Sequence, residues 1–349
     1  MRDSHGPGDA ETYRTADYHT AGEPFRIVEP GRLDVPGEDV ADRRARALES
    51  AELQRVRALL CSEPRGHADM YGGFITPADD AEGHFGVLFW HKDGFSTACG
   101  HGTIALGVWA VETGVVEAPP EGEVEVVVDV PSGRVRARVR MEDGRPSAVT
   151  FVNVASWAHA RGVPVATSRG EVRVDIGFGG AMYAVLPAAD VGLDVHPRDY
   201  TDLIAVGREI RDALNAMEGQ TDWVARHPSD ERLSGIYGTI LTAPGDSGDP
   251  LHQRNVTVFA DGEVDRSPCG SGTAARIALL ADEGLLHVGQ ELRQESIIGT
   301  LFTGRVVGEV EGFGRRAYLP EVTGMAYRVG SCEFTVDARD PVVPGFVLR

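Results

Sequence analysis

Two segments about half the chain apart repeat one another: Cys99-Gly100-His101-Gly102-Thr103 and Cys269-Gly270-Ser271-Gly272-Thr273. Each opens an apolar run, residues 104–111 in the first copy and 274–280 in the second, so each reads as a loop feeding a helix N-terminus. The free amides and dipole of a helix N-terminus favour an anion, and the sequence makes that geometry twice. A cysteine in the first turn feels the same field, which favours thiolate over thiol and predicts a base usable at neutral pH. Two such half-sites facing each other would form one active site.

The pattern around each copy predicts strands. Residues 17–24 are turn-rich and lead into a short strand at 25–28, and 42–60 have helical periodicity with Ala45, Leu48, Leu53, Val56 and Leu60 near one face. A loop at 63–73 holds His67, whose simplest role is a ring satisfied by loop backbone. The almost wholly apolar run 85–90 predicts a buried strand, and the helix from Gly100 should end near Gly114. Residues 121–130 and 134–141 alternate about a Pro131-Ser132-Gly133 turn, a hairpin whose arginines 134, 136, 138 and 140 face Glu123, Glu125 and Asp129. A strand at 149–154 follows, and Ser156-Trp157 carry the chain into its second half. There a glycine-broken strand spans 172–185, an amphipathic helix 200–217, and strands 237–241, 255–259, 304–308 and 316–319. Strands followed by a central helix, twice, give an α+β fold with mainly antiparallel sheet.

Composition narrows the partners. A formal net charge of −19 argues against nucleic acid and anionic membrane surfaces, which need clustered cations. No apolar run is long enough to span a membrane and the first fifteen residues have no signal-peptide core, so a cytoplasmic protein is expected. Cys61, Cys99, Cys269 and Cys332 lack short metal-type spacing and read as reduced thiols, with Cys61 and Cys332 as small buried apolar residues. Lys92 is the only lysine, in an apparently exposed turn at residues 91–94, which argues against a pyridoxal phosphate Schiff base. Neither a phosphate-binding G-x-x-x-x-G-K-[ST] loop nor a strand followed by G-x-G-x-x-G supports a nucleotide cofactor.

Asp265-Arg266-Ser267-Pro268-Cys269-Gly270-Ser271-Gly272-Thr273, together with Cys99-Gly100-His101-Gly102-Thr103, resembles the proline racemase family of proline racemases, 4-hydroxyproline epimerases and trans-3-hydroxy-L-proline dehydratases. The resemblance extends over residues 17–28, 63–73, 85–107, 175–184, 237–242 and 265–278. It implies a diaminopimelate epimerase-like fold: two pseudo-symmetric domains, each a mostly antiparallel sheet around a central helix. The expected organisation is a disordered tail over 1–15, a first domain over 16–157 with Cys99, a second over 158–335 with Cys269, and a return of 336–349 to the first. Cys99 and Cys269 would be acid/base thiols on opposite faces of the substrate α-carbon. Backbone amides of Gly100, His101, Gly270 and Ser271 would hold the substrate carboxylate, and Asp265 would contact its ring nitrogen.

The implied activity is cofactor-independent racemisation or epimerisation of proline or a hydroxyproline by a homodimer. Residues 91–99 and 63–67 look most like the trans-3-hydroxy-L-proline dehydratases, which usually carry threonine where this chain has Cys269. Dehydration is therefore the alternative, and the two-cysteine pair favours inversion because reprotonation from the opposite face needs a second acid. A non-catalytic thiol pair that senses redox state or binds imino acids is a third reading, which would exchange no substrate proton.

Overall fold

The computed structural model describes residues 11–31, 33–220, 223–312 and 314–348. Its strands fall into two series with one pairing scheme. The first comprises β1 (Glu11–Thr20), β2 (Glu23–Val28), β3 (Gly72–Thr76), β4 (Phe85–His91), β5 (Gly94–Phe95), β6 (Gly122–Val130), β7 (Gly133–Glu142) and β8 (Arg145–Val152). After β9 (Trp157–Thr167) comes the second: β10 (Gly170–Phe178), β11 (Met182–Pro187), β12 (Ile236–Pro244), β13 (His252–Phe259), β14 (Glu263–Asp265), β15 (Glu291–Ser296), β16 (Leu301–Gly312) and β17 (Arg315–Gly324). β18 (Ala326–Val336) closes the fold.

In the first series β2 pairs parallel with β3 and β4 parallel with β6; in the second β11 pairs parallel with β12 and β13 parallel with β15. The remaining pairs are antiparallel and correspond one to one, so the repeat seen in ten residues of sequence extends to the whole topology. Antiparallel β8 and β17 join the halves, and Ser156 bridges to Tyr318 beside that seam.

Helices occupy equivalent connections. α1 (Val40–Glu49) and α2 (Ala51–Cys61) link β2 to β3, α3 (Gly100–Glu112) links β5 to β6, α4 (Tyr200–Asn215) links β11 to β12, and α5 (Gly270–Asp282) links β14 to β15. Residues 100–110 of α3 are all buried, as a helix apolar all round requires, and α5 is buried at every position from 270 to 281 except Arg276. Gly114 and Gly284, both at φ 73°, end these two helices in the left-handed conformation that glycine adopts without penalty. α4 is amphipathic, burying Leu203, Val206, Ile210 and Leu214 on one face.

The structure corrects several expectations. The single helix over 42–60 is two, because Ser50 caps both: its N–H donates to the Ala47 carbonyl and its hydroxyl accepts from the Leu53 amide, each at 3.3 Å. The break turns Leu48 outward, 44% exposed. Residues 11–15, assigned to the tail, begin β1, while residues 1–10 lie outside the described residues. The return to the first half starts at β18, which pairs antiparallel with β1, rather than at 336. β18 stands to β1 as β9 stands to β10, and neither of these two outer strands was among those the sequence pattern indicates. In the hairpin, Arg134, Arg136 and Arg140 meet acids of the partner strand, but Arg138 pairs with Glu321 from the other half.

Lys92 is not exposed: its side chain is 4% accessible, 2.6 Å from Asp93 and 3.8 Å from Glu263. Cys61 is buried, its thiol donating to the Met70 carbonyl at 3.3 Å, whereas Cys332, expected to be buried, is half-buried on β18. All four cysteines are free thiols. Among the described residues no helix is long and apolar enough to cross a membrane.

Candidate active site

Each cysteine sits where a short strand hands the chain to a buried helix. In the first half Cys99 is the N-cap of α3, with extended backbone (φ −153°), and its sulfur accepts from the Gly102 amide at 3.2 Å. In the second, β14 ends at Asp265, whose Oδ1 accepts from the Ser267 amide at 2.8 Å and its hydroxyl at 2.6 Å. The Ser267 hydroxyl in turn accepts from the Cys269 amide at 3.1 Å. This turn delivers Cys269 to the N-cap of α5 at φ 64°, ψ 106°, a conformation that side-chain-bearing residues rarely adopt. The pseudo-symmetry of the halves therefore breaks at the backbone of the two cysteines.

The helices meet end to end. All seven residues singled out in the sequence, Cys99, Gly100, His101, Asp265, Cys269, Gly270 and Ser271, line one small cavity of about 10 Å³. That is roughly the room one water needs, so the halves are closed upon each other. The first amides of both helices have no intrahelical acceptor and converge here. Sequence reasoning missed the remaining walls, Tyr71, Ala98, Tyr183, Tyr237 and Phe259. Tyr71, Tyr183 and Tyr237 all lie within stretches that carry the family resemblance, so the signal was present without a role attached to it.

The walls are tied together by hydroxyls and rings. Tyr183 shares a 2.7 Å hydrogen bond with Ser271, and Tyr71 hydrogen-bonds to Ser96 and, at 3.0 Å, to Tyr237. His101 packs edge-on against Tyr71 and Phe25, its Nδ1 3.8 Å from Asp265 Oδ2 and both ring nitrogens 3.5 Å from the Cys99 sulfur. Burial lowers the His101 pKa, against the pull of Asp265, which favours the neutral imidazole. Contacts between the halves surround this centre. Glu23 accepts from the Arg266 amide at 2.7 Å, Arg266 pairs with Asp69 at 2.6 Å, and His91 lies 3.1 Å from Glu263.

In this closed state burial disfavours the thiolate of both cysteines, against the expectation from helix position. Burial pushes the Cys99 thiol well above its ordinary value, with Asp265, Cys269 and Glu23 adding to the rise and the Gly102 amide opposing it. Burial also raises Cys269, Asp265 adding to it while the Gly272 amide and the Thr257 and Tyr183 hydroxyls oppose. A helix N-terminus contributes about 0.3–2 kcal/mol. Full burial can shift a pKa by about 3–5 units at 1.36 kcal/mol each, so desolvation wins.

His91, Asp93 and Glu263 bring possible metal-ligand atoms within 4.8 Å of one another beside the cavity. The Lys92 ammonium already lies among them and supplies the positive charge.

Comparisons place this arrangement among known proteins. The family described as proline racemase matches residues 15–347. A 3-hydroxyproline 2-epimerase of Burkholderia multivorans is 43% identical over 96% of this chain and 98% of the relative. A trans-3-hydroxy-L-proline dehydratase of Azospirillum brasilense is also 43% identical, over the same shares. The crystal structure of a hydroxyproline epimerase from Agrobacterium vitis, with bound trans-4-hydroxy-L-proline, superposes with a TM-score of 0.90 at 28% identity, covering 100% of this chain and 97% of that one. A phenazine biosynthesis protein of Bacillus anthracis, TM-score 0.56 at 14% identity, shares the fold alone. The two-half α+β fold and its match along almost the whole chain make this protein a member of the proline racemase family.

Proposed function

We propose that the protein inverts C2 of a hydroxyproline by a two-thiol, cofactor-independent mechanism, and that its substrate is a 3-hydroxyproline. The observation that carries this reading is that Cys99 and Cys269 cap opposing helices in one cavity. For the position of the hydroxyl, the support is the 43% identity to a 3-hydroxyproline 2-epimerase, against 28% to the structure with bound trans-4-hydroxy-L-proline.

In this mechanism the substrate enters with the halves apart, when water relieves the burial that raises the thiols, and one thiol ionises. On closure the amides of Gly100, His101, Gly270 and Ser271 hold the carboxylate, and Asp265 binds the cationic ring nitrogen. The thiolate takes the C2 proton. The C–H electron pair moves into a carboxylate-stabilised carbanion, held by amides that gain strength in a dry site. The opposite thiol then gives its proton to the other face, and the two sulfurs have exchanged roles. Trans-3-hydroxy-L-proline becomes cis-3-hydroxy-D-proline.

Dehydration is the second reading, supported by the 43% identity to a trans-3-hydroxy-L-proline dehydratase. There the same carbanion expels the C3 hydroxyl, which leaves as water once protonated, and a C2–C3 double bond forms. The test is incubation of the purified protein with trans-3-hydroxy-L-proline, trans-4-hydroxy-L-proline and L-proline, followed by chiral chromatography. The cis-3-hydroxy-D epimer is expected as main product. Inversion of only 4-hydroxyproline or proline would move the substrate assignment, and pyrroline carboxylate alone would replace inversion with dehydration.

A further inference from the structure

Beside the thiol chamber lies a far larger space. A cleft of about 490 Å³ opens between the halves, with Arg44 and Leu48 of α1 on one side and Met182, Arg211 and Arg232 on the other. The chamber has room for about one water, whereas the cleft is of a size that holds small ligands. The two share a wall. Tyr237 lines both, and Tyr71 in the chamber hydrogen-bonds to Tyr237 at 3.0 Å and to Ser96, which faces the cleft. Three hydroxyls thus form the partition, and because Tyr71 and Tyr237 come from different halves, separation of the halves breaks it.

Three arginines line the cleft of a strongly acidic chain. Of its arginines, Arg211 is held by Asp212 and the Ala260 carbonyl, and Arg232 by Asp230. Arg44 is different. Its Nε donates to the Phe95 carbonyl at 2.9 Å, and among the described residues no carboxylate lies within salt-bridge distance of its guanidinium. The cleft's acids are Asp93, paired with Lys92, and Glu218. A guanidinium stays charged, and its remaining donors form a fork that fits a carboxylate. Arg44 shares the cleft lining with Tyr237 and lies close enough to Tyr71, Tyr237, Arg232 and Asp230 for each to act on its charge.

We propose that this cleft is a carboxylate-binding vestibule, in which Arg44 captures an incoming imino acid before the Tyr71–Tyr237–Ser96 partition opens to the thiols. The ligand's identity rests on the function proposed above, but the vestibule can be tested without it. Iodoacetate carries a carboxylate, and iodoacetamide is its neutral analogue of similar size. Labelling of Cys99 and Cys269 in the full-length protein, mapped by peptide mass spectrometry, should be slowed roughly tenfold for iodoacetate by Arg44→Gln. Iodoacetamide labelling should change by less than about twofold, and Arg44→Lys should recover most of the iodoacetate rate. In the unmodified protein, the ratio of iodoacetate to iodoacetamide rates should fall as salt is added.

Equal slowing of both reagents by Arg44→Gln, or an iodoacetate rate indifferent to Arg44 and to salt, would overturn the vestibule. Turnover distinguishes the two claims. With the correct substrate Arg44→Gln should raise KM more than it lowers kcat. If no hydroxyproline is turned over, the alkylation contrast still stands and only the substrate is in error.

Discussion

A Cβ built on Gly100 would lie 2.4 Å from the Cα of Gly270, and one built on Gly270 would lie 2.6 Å from the Cα of Gly100. The two helix N-termini are therefore in backbone contact, with no side chain between them. That contact brings the first residues of the two helices, and the cysteines that precede them, to one small cavity.

Because the clash would be with backbone, no rotamer change relieves it. Gly100→Ala and Gly270→Ala should each prevent full closure and lower activity by about 100-fold or more, the cost of a displacement near 1 Å. Circular dichroism should stay close to that of the parent, since each helix keeps its own packing. Near-normal turnover in either variant would show that the halves do not close to this distance during catalysis.

The cysteines should not be equivalent under substitution. Inversion needs both sulfurs, whereas proton removal followed by loss of a β-hydroxyl needs one base. Cys269→Ser should abolish inversion while leaving any dehydration of trans-3-hydroxy-L-proline, and the reverse reaction should fail equally. Cys99→Ser should remove both reactions if Cys99 is the base facing the L-substrate. Serine is the replacement used at 269, because it exchanges the sulfur for oxygen and adds no β-branch to a backbone at φ 64°. Chiral product analysis checks this, and inversion surviving Cys269→Ser would contradict it.

Stability should fall in alkali for a reason the site supplies. Cys99, Cys269 and Cys61 are all raised by burial, so in the folded chain they keep protons that an unfolded chain releases near pH 8.5. Folding is thus favoured by these groups below that pH, and the advantage is lost as pH rises from the ordinary thiol range toward the raised one. Each thiol contributes a slope of up to about 1.4 kcal/mol per pH unit there. Urea midpoints should drop between pH 8 and 10, and Cys99→Ala with Cys269→Ala should flatten the decline. A parent and double variant with equal slopes would remove the thiols from this account.

Much of this molecule was legible in its sequence because the features that build the site are local. Cys-Gly-x-Gly-Thr before an apolar run specifies a capped, buried helix by itself, and its recurrence predicts the second half. Asp265 and the amides of Gly100, His101, Gly270 and Ser271 were singled out through the family resemblance rather than through that local pattern. What remained hidden depends on tertiary packing. β9 and β18 do not alternate cleanly, since much of each strand is only partly covered, and the break at Ser50 looks like any serine in a helical run. The thiol ionisation was misjudged because the helix field is a local property, while burial is set by a half lying far along the chain. Tyr71 and Tyr237 become neighbours only when the halves meet, so neither drew attention as a wall residue.

The central claim, two thiols acting from opposite faces, is tested most directly by the position of deuterium early in turnover. Trans-3-hydroxy-L-proline is incubated in deuterated water and sampled at low conversion. One sulfur removes protium and the other delivers solvent-derived deuterium, so the D-epimer should carry deuterium at C2 while recovered L-substrate remains protiated. Deuterium in recovered substrate with no inverted product, or an epimer that retains the original protium, would contradict the two-thiol account.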